Sequence, residues 1–308
     1  MKGLTLCEAY FRAHGEPMLK EKFPDTCGRI AAGLAGPGSE CFGFDDELSR
    51  DHDWGPSFCL WLTDTDAQAI GQRLAAEYAR LPGVFLGFGP REASPGEEDR
   101  VGPGRTWDFY QAYLGVRALP ETPSQWLRIS EESLATCTNG MVWTDPLGEF
   151  TAIRETLLAY YPEDVRLKKI ASRCITIAQA GQYNFPRSTK RGDLFAARAC
   201  EVQFCSDVVS LVFLLNRRYT PYFKWAFHAL GELTLLGAQM KSRLEALLRA
   251  EAPLEKEQLM QSICEELVAE LTQEGLTNST SDFLLNHVSS IYDRIVDPDL
   301  RRRVAIVR

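Results

Sequence analysis

Long apolar runs are missing from this 308-residue chain. The longest, "VVSLVFLL" (Val208–Leu215), falls far short of the ~20 residues that a membrane-spanning helix needs. The opening "MKGLTLCEAYFRAHGE" meets Glu8 and Arg12 before the apolar core of a targeting peptide could form. No membrane partner is therefore expected, and a cytoplasmic protein is. An excess of positive charge is missing too. The net charge of −8 and a pI near 5.2 argue against a general nucleic-acid binder, which carries a basic face on a basic chain. Nine cysteines are present without a C-x-x-C pair, so free thiols in a reducing compartment are expected. With four histidines and none at ligand spacing to a cysteine, a zinc site is not expected. The phosphate-loop pattern G-x-x-x-x-G-K-S/T and the nucleophile elbow G-x-S-x-G are both absent, which weighs against kinase, ATPase and hydrolase classes.

What is there is globular: 45% hydrophobic and 25% charged residues. "RIAAGLA" (29–35) and "FCLWL" (58–62) are short, apolar and bounded by turn formers, so both read as strands. "VFLGF" (84–88) is a further strand candidate. An N-terminal amphipathic helix is expected to stop near Gly15–Pro17, and a second to run from a cap at Asp64 or Asp66 to Pro82–Gly83. The Gly/Pro-rich, charged stretch 89–105 reads as an exposed loop. "TWDFYQAYLG" (106–115) reads as a short strand running into a helix, and "MVWTDPLGEF" (141–150) as two β runs around a hairpin-like turn. From about Thr151 the pattern becomes almost continuously helical, with segments at 151–160, 163–180, 192–218, 220–236, 238–250, 254–274 and 279–295. The expected organisation is α+β: a mixed α/β domain over 1–150 and an all-α bundle over 151–308. Charge divides unevenly. Arg166–Lys224 holds 11 Lys/Arg against 3 Asp/Glu, or +8, which leaves −16 for the remainder. An acidic motif early and a basic island later suit a site between two domains. The plain alternative is a set of solvated helix faces.

The motif that bears chemistry is "GPGSECFGFDDELSRDHDWG" (36–55), a Gly-Ser pair among six acidic residues. If Asp51–His52–Asp53 is extended, both carboxylates share one face and His52 packs on the other. Two carboxylates so placed repel unless a cation lies between them. Mg²⁺ suits, since it takes one or two carboxylates plus substrate phosphates and water. Upstream, Gly38 lets backbone N–H groups approach an anion, and Ser39 is placed to cap a helix and donate to a phosphate.

Gly38–Ser39, eleven residues and then Asp51-x-Asp53 resembles the polymerase-β-like nucleotidyltransferase superfamily. The longer stretch, with "MVWTDPLGEF", "NFPRSTKRGD" and "NRRYTPYFKWAFHAL", resembles the DUF4037 branch of it. The resemblance implies a nucleotidyltransferase-like mixed sheet with helices followed by a helical bundle. It implies Asp51 and Asp53 as catalytic metal ligands for Mg²⁺, and Gly38 and Ser39 as the triphosphate turn. Lys224 and Arg218 are implied to reach phosphates from the helical part. Three departures stand out. Pro37 replaces an apolar residue, Gly55–Pro56 interrupts the strand after the Asp-x-Asp, and a third carboxylate from a later strand is not obvious. Asp108 and Asp145 are its candidates, Asp145 being better suited to a turn.

Other residues carry two readings each. Asp45, Asp46 and Glu47 suit a loop turn and helix capping over metal binding. Arg50 contacts phosphate or pairs with the acidic loop. Thr220 and Pro221 start a helix that puts Lys224 and His228 on one face. Tyr219, Tyr222 and Trp225 stack a base or build core. Arg187, Lys190 and Arg191 hold substrate phosphate or are solvated. The first functional reading is a Mg²⁺-dependent nucleotidyltransferase that moves a nucleoside monophosphate from an NTP, ATP foremost, to a hydroxyl of a small molecule or a protein. The second is a nucleotide-binding regulator without transfer, favoured if neither Asp108 nor Asp145 joins Asp51 and Asp53. A third makes the helical half a homodimer interface and the front half a scaffold.

Overall fold

The computed structural model describes residues 1–92 and 100–302 and divides into two compact units, Met1–Leu119 with Ser133–Ala159, and Pro120–Glu132 with Tyr160–Arg308. The fold is α+β, with a four-stranded mixed sheet in the first unit. The expected division at 150 falls differently. Phe150 belongs to the first unit, fully buried and stacked on Trp61 at 3.8 Å. Glu131 belongs to the second, whose cations it binds.

The strands are β1 (Ala31–Leu34), β2 (Cys59–Leu62), β3 (Gly102–Arg105) and β4 (Met141–Thr144), in spatial order β3-β2-β1-β4. β1 runs antiparallel to both β2 and β4, and β2 runs parallel to β3. The parallel connection passes through the helix Asp64–Tyr78, as a crossover must. That helix is capped by Thr63, which accepts from the Asp66 N–H at 3.1 Å, and not by Asp64 or Asp66. Alternation along the strands covers both sheet faces. Ile30, Ala32, Phe58 and Leu60 pack with Phe11 and Leu19 of the N-terminal helical stretch. Trp61 turns the other way, onto Phe109 and Phe150. β1 needs a small residue at its centre, because a Cβ on Gly33 would lie 2.2 Å from the Met141 carbonyl oxygen.

Several sequence expectations give way to longer-range packing. The N-terminal helix does not stop at Gly15. It passes through a π-turn at Phe11–Gly15 and continues as Glu16–Lys22, with Gly15 seated against the Phe58 ring. "VFLGF" is a tight turn closed by a Phe85–Phe88 bridge. Within the stretch read as a loop, Gly102–Arg105 forms β3 through backbone pairing alone, while residues 93–99 lie outside the described residues. Thr106–Leu114 is helical throughout. β4 is followed not by a second strand but by a helix, Glu149–Leu158.

The second unit is helical. Glu163–Ile177 leads through a π-helical stretch into Phe185–Lys190. Leu194–Leu215 follows, capped by Asp193, and packs its Phe204 ring where Gly181 leaves room for it. Phe223–Leu230, Gly237–Arg249 and Pro253–Gln273 come next, the last ending at Gly275 with φ of +68°. Residues 279–295, expected as one helix, hold a 3-10 turn and the short helix Val288–Tyr292.

Candidate functional site

The Gly-Ser turn leaves β1 and enters a single 3-10 turn, Ser39–Phe42. Gly38 is needed there for a close approach, although the group approaching is the Glu40 carboxylate. A Cβ at 38 would sit 2.3 Å from Glu40 Oε2. Glu40 is buried, and Arg91 Nη2 donates to its Oε1 at 2.8 Å. Arg91 extends its other nitrogens to Ser57 Oγ at 3.1 Å and to Asp53 Oδ1 at 2.7 Å. Arg100 donates to Asp53 Oδ2. Two carboxylates and two guanidiniums thus form one neutral, largely buried chain. For Arg91, burial pulls the pKa down, but Glu40 and Asp53 push harder and leave it above the ordinary arginine value.

Asp51-x-Asp53 is not extended. A 3-10 turn at Leu48–Arg50 precedes it, Asp51 is helical in backbone, and Asp53 has φ of +49°. The carboxylates part accordingly. Asp51 is exposed and meets His52 Nδ1 at 2.7 Å, while Asp53 turns inward to the arginines. His52, expected to pack, is exposed for the same reason. The cause lies next door. Gly55, at φ of +153°, packs with Cβ-forbidding closeness to the Arg91 backbone, and the chain reaches β2 only at Cys59. The acidic loop serves the fold. Asp45 accepts from the Gly3 N–H at 2.7 Å and from Trp54 Nε1 at 3.2 Å, and Asp46 closes a turn with Ser49. Arg50 lies over the Trp54 and Phe88 rings.

Neither candidate third carboxylate joins this group. Asp108 lies near Arg105 and Arg117. Asp145 accepts from the Gly148 and Thr151 N–H groups, the turn role its Pro-Gly context implies. Among the described residues, no cluster of three or more His, Cys, Asp or Glu is arranged to hold a metal. As arranged, the residues do not fit a two-metal site: both Asp53 oxygens already accept from guanidinium, and β3 ("GPGR") offers no acid.

Arg218 and Lys224 belong to the second unit. Both are exposed; Arg218 is held by its backbone to Phe213, and Lys224 lies over the Trp225 ring. Tyr219 is core, stacked on Tyr160. Thr220 does not cap a helix, which begins at Phe223 behind Tyr222. Its hydroxyl instead donates to Glu131 Oε2 at 2.6 Å. Glu131 also accepts from Lys169 Nζ at 3.1 Å, Arg173 Nη2 at 3.3 Å and Ser210 Oγ at 3.0 Å. Burial raises the Glu131 pKa, but Lys169, Arg173 and Thr220 outweigh it and leave the group below the ordinary range. The inner part of the basic island is therefore buried and balanced. Arg187, by contrast, is exposed beside Tyr183, and Lys190 and Arg191 reach toward solvent.

Residues 126–226 match the family described as Domain of unknown function (DUF4037). That segment holds Glu131, Lys169, Arg173, Ser210 and Thr220, together with Arg218 and Lys224, and does not reach Gly38, Ser39, Asp51 or Asp53. No curated protein and no solved structure matches the chain. Among the described residues, no helix is long and apolar enough to cross a membrane.

Sequence reading missed Glu40, Arg91, Arg100 and Glu131. The arginines sit in a Gly/Pro-rich stretch whose composition signals exposure. Only the position of Arg91 between Glu40 and Asp53, 51 and 38 residues away, makes it a core residue.

Proposed function

We propose that the first unit is a nucleotidyltransferase-like module that binds a nucleoside triphosphate, ATP foremost, and does not transfer it. The observation that carries this reading is the convergence of Arg91 and Arg100 on Asp53, joined through Glu40 to the Gly38–Ser39 turn. A mixed sheet with that turn after β1 and the Asp-x-Asp before β2 agrees with the resemblance in the sequence. Arginine forks match phosphate oxygens as well as they match carboxylates. A triphosphate therefore competes with Asp53 for the partly exposed Arg100 guanidinium, which is already in place. Mg²⁺ would enter as part of the nucleotide complex, and exposed Asp51 is one carboxylate that would meet it there. Transfer is disfavoured because Asp53 is engaged by two cations and, among the described residues, neither Asp108 nor Asp145 stands with it. The partner regulated by such binding belongs to the same proposal.

Isothermal titration with ATP, GTP, CTP and UTP, each with and without Mg²⁺, tests binding. Saturable binding of at least one nucleotide is expected, weakened at least tenfold in Arg100→Ala. Failure of all four to bind sinks the reading. Pyrophosphate release from a bound nucleotide in the presence of small-molecule or protein hydroxyls would instead restore the transferase, with Mg²⁺ on Asp51 and Asp53 and a nucleoside monophosphate moved.

A further inference from the structure

β4 is an edge of the sheet, paired with β1 on one side only. A groove of about 440 Å³ runs along its other side. One wall is the continuous stretch Gly140–Asp145, and the other is Thr151, Arg154, Glu155 and Leu158. Six consecutive residues can line one wall only if it is the backbone edge of the strand, since side chains alternate between faces. The helical residues follow i, i+3, i+4, i+7 spacing and so form one face of Glu149–Leu158. An open strand edge facing a helix is the shape that accepts an added strand, with backbone pairing on one side and side-chain contacts on the other.

Charge selects what enters. Arg154 stands at the Gly140 end, where its Nη2 donates to the carbonyls of Thr138, Asn139 and Gly140 at 2.6, 3.0 and 3.2 Å. Among the described residues, no carboxylate ion-pairs with it, and burial pulls its pKa below the ordinary arginine value. The groove thus ends in a cation that no carboxylate among the described residues ion-pairs. Its other end carries Asp145. A segment running antiparallel to β4 continues the antiparallel order of β1 and β4 and brings its C-terminal end to Arg154. A parallel segment would bring an N-terminal ammonium there, against like charge. Glu155, exposed on the helical wall, favours a neutral or basic residue upstream of the carboxylate.

We propose that this groove binds the free C-terminus of a partner polypeptide as an added antiparallel strand, its terminal carboxylate paired with Arg154. β4 spans four residues, about 14 Å at ~3.4 Å per residue, so recognition covers roughly the last four residues of the partner.

The test uses two pools of fluorescein-labelled hexapeptides with their last four positions randomised, one pool with free C-terminal carboxylates and one amidated. The full chain is expected to select sequences from the free-acid pool, and amidation of those sequences is expected to weaken binding at least tenfold in fluorescence polarisation. Arg154→Gln should do the same, but it also removes hydrogen bonds to the chain entering β4. Leu158→Glu therefore serves as the second variant. Leu158 is half exposed on the groove wall, so the substitution leaves the fold intact, places a negative charge in the groove and should reduce binding at least tenfold. Equal selection from both pools, selection from neither, or wild-type binding by Leu158→Glu overturns the proposal. None of these outcomes depends on nucleotide binding.

Discussion

Arg91 Nε donates to Asp53 Oδ1 at 2.7 Å, and the same guanidinium holds Glu40 Oε1 at 2.8 Å. One arginine therefore neutralises a residue of the Asp-x-Asp and the residue following the Gly-Ser turn. This pairing draws Glu40 and Asp53, though not Asp51, into the first unit's interior.

Arg91→Leu should be strongly destabilising, because it leaves Glu40 buried without its cation. Losing one partner of a buried pair costs about 3–5 kcal/mol. Urea unfolding of the variant should show a lower midpoint with an unchanged slope. A midpoint equal to wild type would remove Arg91 from the interior.

The two aspartates should separate on mutation. Asp51→Asn, at an exposed position paired with His52, is expected to change stability by no more than about 0.5 kcal/mol. Asp53→Asn takes the negative charge from between Arg91 and Arg100 and is expected to cost about 2–4 kcal/mol. Equal effects in thermal unfolding would contradict the geometry, whichever direction they took.

Glu131 sets an acid-side dependence in the second unit. Its folded pKa lies below its unfolded value of about 4.3, so its contribution is fully present above that pH. The contribution fades as pH falls toward the folded pKa. Glu131→Gln should flatten the loss of stability below about pH 4.3. At neutral pH it should cost about 3–5 kcal/mol, because it breaks the buried Glu131 pairs with Lys169 and Arg173, although Arg173 keeps Asp207. Denaturant titrations from pH 3 to pH 7 would reveal both effects, and an unaltered pH profile would contradict the assignment.

Thiol labelling should be selective. All nine cysteines are free. Burial pushes Cys59, Cys137 and Cys174 to about 12, so they remain protonated at neutral pH. A chromogenic disulfide reagent should react first at Cys27, ahead of the equally partly exposed Cys200 and Cys205, whose thiols burial pushes up, and reach the buried three only after denaturation. Rapid native labelling of Cys59 would mean that the first unit opens.

Legibility followed the range of the interaction. β1 and β2 were readable because their apolar runs are bounded by turn residues. β3 was not, because Gly102, Pro103 and Gly104 have no β preference and become a strand only by lying against Cys59–Leu62. The Asp-x-Asp spacing suggested a shared face, but spacing implies a face only when the backbone is extended, and Asp53 takes a left-handed conformation. Asp145 was readable as a turn residue because its partners are three and six residues away. Arg91 and Glu131 were not, because their partners lie tens of residues distant in sequence.

The sheet's two margins differ in one residue type. At the β3 margin stands Pro103, which has no N–H to offer an incoming strand, whereas β4 at the other margin contains no proline. Strand addition is therefore one-sided. Two copies could meet β4 to β4 and close the pair, but a β4-to-β3 joint, which each further copy could repeat, is refused. The position of a single proline thus separates a surface that accepts one strand from one that would seed a fibre.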